Sequence, residues 1–471
     1  MTPLYLKWLG IEAYGLVGLF ATLQSILTWL DAGISPTMAR TLSQLSGRDD
    51  PSARQEMRDV VMTFGLVIVG IGAAAGLALA AFAPLGRRWL GGSTLSAGTV
   101  TAAIMLMGLN VALQWPNGFF LGGLMALERQ VAGNLAAIVT STLRAALTAA
   151  MLVLVSRRIE LFFLGQALGA GLGTLATALL LSRALPPLRG HFRRSLFERH
   201  WRFAAGMTGT AITTVIATQV DNVALSRFVP LAEFGTYSLG RTISNSISNL
   251  SGSLAAAFYP RYCKQADGAD PGLAGFYHLT CQVMAVIAFS TCLTVAAFAD
   301  TLVYLWTGNA VTAAQVAPPL RLLALAAGVQ SAVVLPYYLQ LAHGWTQLAI
   351  KTNLLNLAIT APITLTLVWR YGALGAAASV LVFNLVYASL IIPAMHKRIL
   401  PGELLHWFKA DVLLPGAGAL ALVVAARWVW PAPQQRPAIA LGLALVGGLA
   451  LFASALSSSG IRAYAGRRWA R

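Results

Sequence analysis

Arg144 and Arg241 are the residues of this chain with the clearest chemical potential, because each stands well inside a long apolar stretch. A guanidinium at the centre of a bilayer-spanning helix costs at least about 2.5–3.5 kcal/mol, so such a residue faces a protein interior or a watery cavity and has a partner there. Its planar fork of donors suits an oxyanion, above all a phosphate. The competing reading is a structural pair, for instance Arg241 with Asp221. Arg321 and Lys351 stand nearer the ends of their apolar stretches, where long basic side chains can reach the interface. These four residues form the expected cationic lining of a binding cavity.

Polar residues recur at helical spacing beside them, which puts them on single helix faces. Asn110, Gln114 and Asn117 form one such stripe around Pro116, and Ser141, Arg144 and Thr148 form a second. Thr210, Thr214, Thr218 and Asp221 form a third, Arg241, Asn245, Ser248 and Gly252 a fourth, and Asn353, Asn356 and Thr360 a fifth. Asp31 and Asp221 are intramembrane carboxylates that suit ion coupling or gating, against local pairing with Arg40 and Arg227. No HExxH or CxxC motif and no His/Cys cluster signals a metal, so no metal site is expected, and no cofactor is implied. Cys281 and Cys292 share one apolar span and Cys263 lies in a basic loop, so they read as packing residues or free thiols.

The elements that must position these residues are membrane helices. Hydrophobic residues make up 57% of the 471, charged residues 10%, and the mean hydropathy is +0.70. A soluble domain carries about 25% charged residues, so this chain cannot cover a water-facing surface. Apolar runs of about 20 residues, enough to cross a bilayer, recur throughout. The expected spans are Tyr14–Met38, Val60–Ala83, Val100–Leu124, Val131–Val155 and Leu161–Leu181. After them come Phe203–Phe228, Phe234–Phe258, Leu273–Phe298, Gln315–Leu339, Gln347–Val368, Ala373–Met395, Val412–Val429 and Ala438–Ala455. That makes about 13 transmembrane helices in an all-α polytopic protein. Ala299 to Gly308, with Tyr304 and Trp306, reads as a piece lying in the headgroup layer.

The halves repeat. Tyr14-Gly15 opens one span and Phe234-Gly235 opens another about 220 residues later, a candidate internal repeat. Between the halves runs the most polar stretch, Arg183 to Arg202, with six arginines, two histidines and Pro186-Pro187. It must lie in water or among headgroups. The expected organisation is an N-terminal bundle over 1–182, a basic linker over 183–202, a second bundle over 203–398, and an appended helix pair with a basic tail over 399–471. The second copy has a span ahead of its Phe-Gly motif, whereas only Met1 to Ala13 precede Tyr14. The expectation is therefore that a first helix is largely missing, and that an intact relative has 14 helices in two six-helix bundles plus the pair.

The +17 net charge resides in short loops, which argues for topology signals rather than nucleic-acid binding. About 20 Lys or Arg fall on the side of Arg40–Arg58, Arg129, the basic linker, Arg261–Lys264, Lys397–Lys409 and the C-terminal tail, against about nine on the other side. That side, with the C-terminus, is the expected cytoplasmic one. No loop exceeds about 25 residues, which leaves no room for a separate soluble domain.

Leu9-Gly10 with Tyr14-Gly15-Leu16, then Leu30-Asp31-Ala32-Gly33, resembles the start of the polysaccharide-export flippases of the multidrug/oligosaccharidyl-lipid/polysaccharide (MOP) superfamily. Asp221 to Phe228, Phe234-Gly235, Phe258-Tyr259-Pro260-Arg261, Leu305-Trp306-Thr307-Gly308 and Tyr371-Gly372 through Ala377 are similar to later stretches of that family. The resemblance covers nearly the whole chain and departs from the family at its front. It implies a bacterial inner-membrane flippase, not an enzyme, that carries undecaprenyl-diphosphate-linked sugar repeat units to the outer leaflet by alternating access. It would serve O-antigen, capsule or exopolysaccharide synthesis alongside a polysaccharide polymerase and a chain-length regulator. Arg144 and Arg241 would then hold the diphosphate. The alternatives are a cation-coupled drug antiporter of the same superfamily, which should favour acidic cavity residues, a membrane-embedded polymerase or ligase, and a non-transporting scaffold of a glycan-synthesis complex.

Overall fold

Recurring long apolar stretches fold as helices, which satisfy their own backbone hydrogen bonds, and among the described residues of the computed structural model there is no strand. The structure describes all residues except 1, 31–32, 49, 91–93, 199–217, 267–271, 431–434 and 464–471, and the side chains of 27–30, 87–88 and 346 are also left out. Two compact units emerge, Met1–Gly235 and Thr236–Arg471.

The first unit contains α1 (Thr2–Leu9), α2 (Ile11–Leu30), α3 (Ile34–Ser46), α4 (Pro51–Trp89), α5 (Ala97–Ala126), α6 (Gln130–Val155, ending in a π-helical turn), α7 (Ile159–Ala184) and α8 (helical over 218–228). The start of α4 shows how sequence sets a boundary. Pro51 occupies the first turn, where its missing N–H costs nothing, and the Asp50 carboxylate accepts from the Ala53 N–H at 2.6 Å. Bonding from the Ser52 hydroxyl, then from Ala53, holds the Asp50 carboxyl below its ordinary range. Met38, Leu42, Val60, Phe64, Ile68, Phe119 and Leu181 form the apolar core where α3, α4, α5 and α7 meet.

The basic stretch is fastened to α4. Leu185 and Leu196 enter the core just named. Arg58 donates to the carbonyls of Pro186 at 2.6 Å and Ser182 at 2.8 Å. The fully buried Asp59 accepts from the His191 N–H at 2.8 Å and pairs with Arg193 at 2.7 Å. A buried carboxylate without such partners would be strongly destabilising, so this attachment is specific. Also inside the first unit, the glycine motifs seen in sequence pack on each other. A Cβ at Gly15 would stand 2.2 Å from the Leu231 carbonyl oxygen, and one at Gly235 would stand 2.3 Å from that of Ile11.

The second unit contains most of α9 (Leu231–Ala266), then α10 (Leu273–Ala297), α11 (Ala299–Thr307), α12 (Ala310–Ala342), α13 (Thr346–Ile399), α14 (Leu404–Val429) and α15 (Arg436–Ser457). Tyr262, Tyr277, Met284, Val333, Leu339, Ile391, Met395 and Trp407 form its main core. α13 holds two expected spans that fold back on one another. Gly372 breaks the helix with φ 53° and ψ −130°, and Asn356 donates across the hairpin to the Phe383 carbonyl at 3.2 Å. Left-handed backbone of this kind is accessible to glycine and strained for other residues. The last two helices pack through Val423, Val446 and Ala450 onto Phe298, and Arg427 lies 3.6 Å from Asp300.

Nine described helices are long and apolar enough to cross a membrane, and α13 counts once among them although it carries two expected spans. The expected span Phe203–Phe228 falls mainly outside the described residues. Phe234–Phe258 lies within the 36-residue α9, which is long enough but more polar than those nine. The outer faces have the character of a lipid-facing surface: Val131 is 83% and Leu154 80% exposed, while Gly133, Ala136 and Thr148 of the same helix are buried. Apolar side chains turned outward fit hydrocarbon as the solvent. The chain is a multi-pass, all-α membrane protein.

Candidate functional site in the first helix unit

Three helices bring the first site together. On α7, Gly165, Gly169 and Gly173 recur every four residues and so share one face. A Cβ at Gly165 would stand 2.7 Å from the Thr148 Cα, one at Gly169 2.6 Å from the Arg144 Cα, and one at Gly173 3.0 Å from the Thr140 Cβ. Only glycine allows α6 and α7 to approach this closely, which is the small-residue packing expected inside a membrane. Gly171 faces another way, toward Leu113 of α5.

Beside that contact lies a cavity of about 130 Å³, lined by Gln114, Asn117, Ala137, Thr140, Ser141, Arg144, Gly169, Ala170 and Gly173. Arg144 is the charged group in this lining, surrounded by amides and hydroxyls. Among the described residues it forms no ion pair with a carboxylate. The amides are held in place. Gln24 of α2 donates to the Gln114 carbonyl oxygen at 2.5 Å, and Thr177 donates to that of Asn117 at 2.9 Å. α1 closes over the same region, with the Tyr5 hydroxyl 3.4 Å from the Ala145 carbonyl and its ring edge-on to Phe162.

The size of the cavity restricts its role. Each water occupies about 30 Å³ of liquid, so about four waters or one small oxyanion fit here. A sugar chain does not. A fixed cation among neutral donors, away from carboxylates, favours an anion over a cation.

Other residues marked in the sequence fall elsewhere. Asn110 is fully buried and is not part of this lining. Thr218 and Asp221 stand on α8, the aspartate buried. Asp31, Thr210 and Thr214 lie outside the described residues. In the second unit Arg241 is half-buried and donates to the Tyr237 hydroxyl one turn earlier, at 3.3 Å. Asn245 is exposed and Ser248 donates to Gln330 of α12 at 2.8 Å. Ser244 and Ser251 also bond α12, to the Leu323 carbonyl and to Ser331, so this serine series joins two helices. Arg321 and Lys351 are exposed, Asn353 is half-buried, and Asn356 serves the α13 hairpin.

Sequence reasoning passed over Tyr5, Gln24, Thr140 and Thr177. Thr140, four residues before Arg144, extends the marked Arg144–Thr148 face and could have been found with it, and Thr177 could have been found as a small polar residue on the neighbouring helix. Tyr5 and Gln24 had no such signal, since their role depends on which helices become neighbours.

The family described as polysaccharide biosynthesis protein matches residues 1–265, more than half of the chain. No curated protein matches it in sequence. Among solved structures, lipid II flippase MurJ in an inward closed conformation aligns with a TM-score of 0.71 at 12% identity, covering 96% of each chain. An inward-facing multidrug resistance MATE family transporter of the MOP superfamily aligns at 0.68 and 14% identity, covering 84% of this chain and 92% of its own. A MOP superfamily transporter from Pyrococcus furiosus, described by a reversed polarity of its binding pocket, aligns at 0.55 and 14% identity over 85% and 91%. At these identities the likeness is one of fold.

Proposed function

Because this chain belongs to the polysaccharide biosynthesis protein family and has the MOP-superfamily fold, we propose that it is a flippase for a polyprenyl-diphosphate-linked oligosaccharide. The observation that carries this reading is the Arg144 cavity: one guanidinium, oriented amides, and room for an oxyanion. In the proposed cycle Arg144 takes a phosphate oxygen of the diphosphate and the amides share the remaining lone pairs. Arg241 is a further cationic contact at a later stage of transit. The glycan travels outside the small cavity, which does not accommodate it.

The unit moved is an undecaprenyl-diphosphate-linked repeat, taken from the cytoplasmic to the outer leaflet by alternating access, with no covalent chemistry on the substrate. The loop charges support a cytoplasmic C-terminus, and the proposed setting, a bacterial inner membrane, rests on the family alone. The proposed pathway is O-antigen, capsule or exopolysaccharide synthesis, with a polymerase and a chain-length regulator as partners. Asp31 and Asp221 are the proposed coupling or gating carboxylates. A drug antiporter is the second reading, supported by the MATE-like fold. It would need a cavity that attracts cations, whereas Arg144 repels them.

The test is reconstitution of the full chain in liposomes with a fluorescent undecaprenyl-diphosphate oligosaccharide, followed by leaflet-selective quenching with and without an ion gradient. Transfer above protein-free liposomes supports the flippase. Transport of cationic dyes without lipid transfer overturns it in favour of the antiporter.

A further inference from the structure

His278, near the start of α10, meets the first turns of α14 although the residues are more than a hundred positions apart. Its Nδ1 lies 2.5 Å from Asp411 Oδ2 and its Nε2 lies 3.2 Å from Glu403 Oε2. The His406 ring stands edge-on to it, with centroids 4.5 Å apart. Asp411 is fully buried, and its other oxygen accepts from Gln282 at 2.8 Å. Gln282 in turn accepts from the Gly460 N–H at 2.8 Å, just beyond α15. Residues Trp407–Leu413 are π-helical. This wider turn, with its i→i+5 pairing, brings His406 and Asp411 to the same side, and such turns are frequent at functional sites.

We infer that His278, His406 and Asp411 form a binding site for a borderline divalent cation of the Zn²⁺ class, which clamps α14 to α10. One donor atom from each of the three lies within 4.8 Å of the other two. Two imidazoles and a carboxylate suit Zn²⁺, Co²⁺ or Ni²⁺, whereas Mg²⁺ and Ca²⁺ favour oxygen ligands. Ligands at about 2.0–2.2 Å in a tetrahedron are about 3.3 Å apart, so the widest separation contracts by about 1.5 Å, while His278 Nδ1 and Asp411 Oδ2, 2.5 Å apart, open and give up the proton between them as the ion enters. His406 is exposed and has the freedom to turn inward. Glu403 accepts from the other ring nitrogen of His278, which orients that imidazole toward the ion, and a water completes the tetrahedron. Gln282 holds the Asp411 carboxylate in position, as partners of metal ligands commonly do.

The site is tested on purified full-length protein in detergent, stripped with a chelator and titrated with Zn²⁺ by calorimetry and with Co²⁺ by visible absorption. The expected result is one ion per chain, the absorption bands of four-coordinate Co²⁺, and a rise of several degrees in unfolding temperature on Zn²⁺ addition. His406→Ala, at an exposed position, lowers affinity at least tenfold without altering the unfolding temperature of the stripped protein. His343→Ala, just past the end of α12, leaves binding unchanged. Failure of the wild type to bind either ion saturably, or equal affinity in His406→Ala, overturns the inference. Neither outcome bears on lipid transfer, so the flippase reading is judged separately.

Discussion

Arg144 and Arg241 look equivalent along the chain, yet the structure gives them different surroundings. Arg144 stands where two helices touch through glycine, beside a cavity whose amides are held by α2 and α7. Arg241 lies along its own helix against Tyr237, on an element whose serines bond α12. At Gly252, three turns beyond Arg241, nothing lies within 4 Å of an added Cβ. A buried charge acquires a site when neighbouring backbones come close enough to surround it, and small residues make that possible.

The largest expected effect is on transport. Arg144→Ala lowers flipping roughly tenfold to a hundredfold, the loss of about 1.5–3 kcal/mol from a charged hydrogen bond, at equal membrane abundance. Arg241→Ala lowers it several-fold less in the same liposome assay. Equal losses would break the contrast between the two arginines, and undiminished activity in both would remove the cationic cavity altogether.

Next in size is Gly169→Val, which places methyl groups against the Arg144 backbone. It should destabilise the protein by about 1–3 kcal/mol, the usual range for overpacking. Thermal unfolding in detergent measures this, with Gly252→Val as the comparison on α9. A similar drop in both variants would mean that close packing is not particular to the Arg144 site.

Asn117→Ala sharpens the picture of the cavity wall. The single Thr177 hydroxyl proton then turns to the Gly173 or Thr174 carbonyl, so the expected stability loss is about 1 kcal/mol. Transport should fall while the protein stays folded, as read by flipping rate against unfolding temperature. The smallest change is expected from Arg321→Ala, an exposed position, at within about 0.5 kcal/mol in stability. A flipping loss as large as that of Arg144→Ala would restore Arg321 to the binding surface.

Much of the fold was legible because hydrocarbon imposes one requirement on every spanning segment. Runs near 20 apolar residues marked α4, α5, α6, α7, α10 and α12 closely. They also marked both limbs of α13, which break at Gly372. The candidate site was legible in part. Gln114, Asn117, Ser141 and Arg144 were grouped by helical spacing, and the structure brings all four to one cavity. Asn356 and Ser248 carried the same signal but bond neighbouring helices, since a polar residue inside a membrane helix can serve packing as readily as a ligand.

The amino-acid sequence by itself determined that this chain spans a membrane many times as helices, and which residues break its apolar pattern. These are local consequences of transfer energies and of the 3.6-residue turn. Only the tertiary structure decided which of those residues meet. Tyr5 reaches α6, Gln24 reaches Gln114, the basic stretch binds Asp59, and His278 finds Asp411 133 positions away. Such encounters depend on how helices pack side by side, and helix packing follows from the shapes of whole surfaces rather than from any local run of residues.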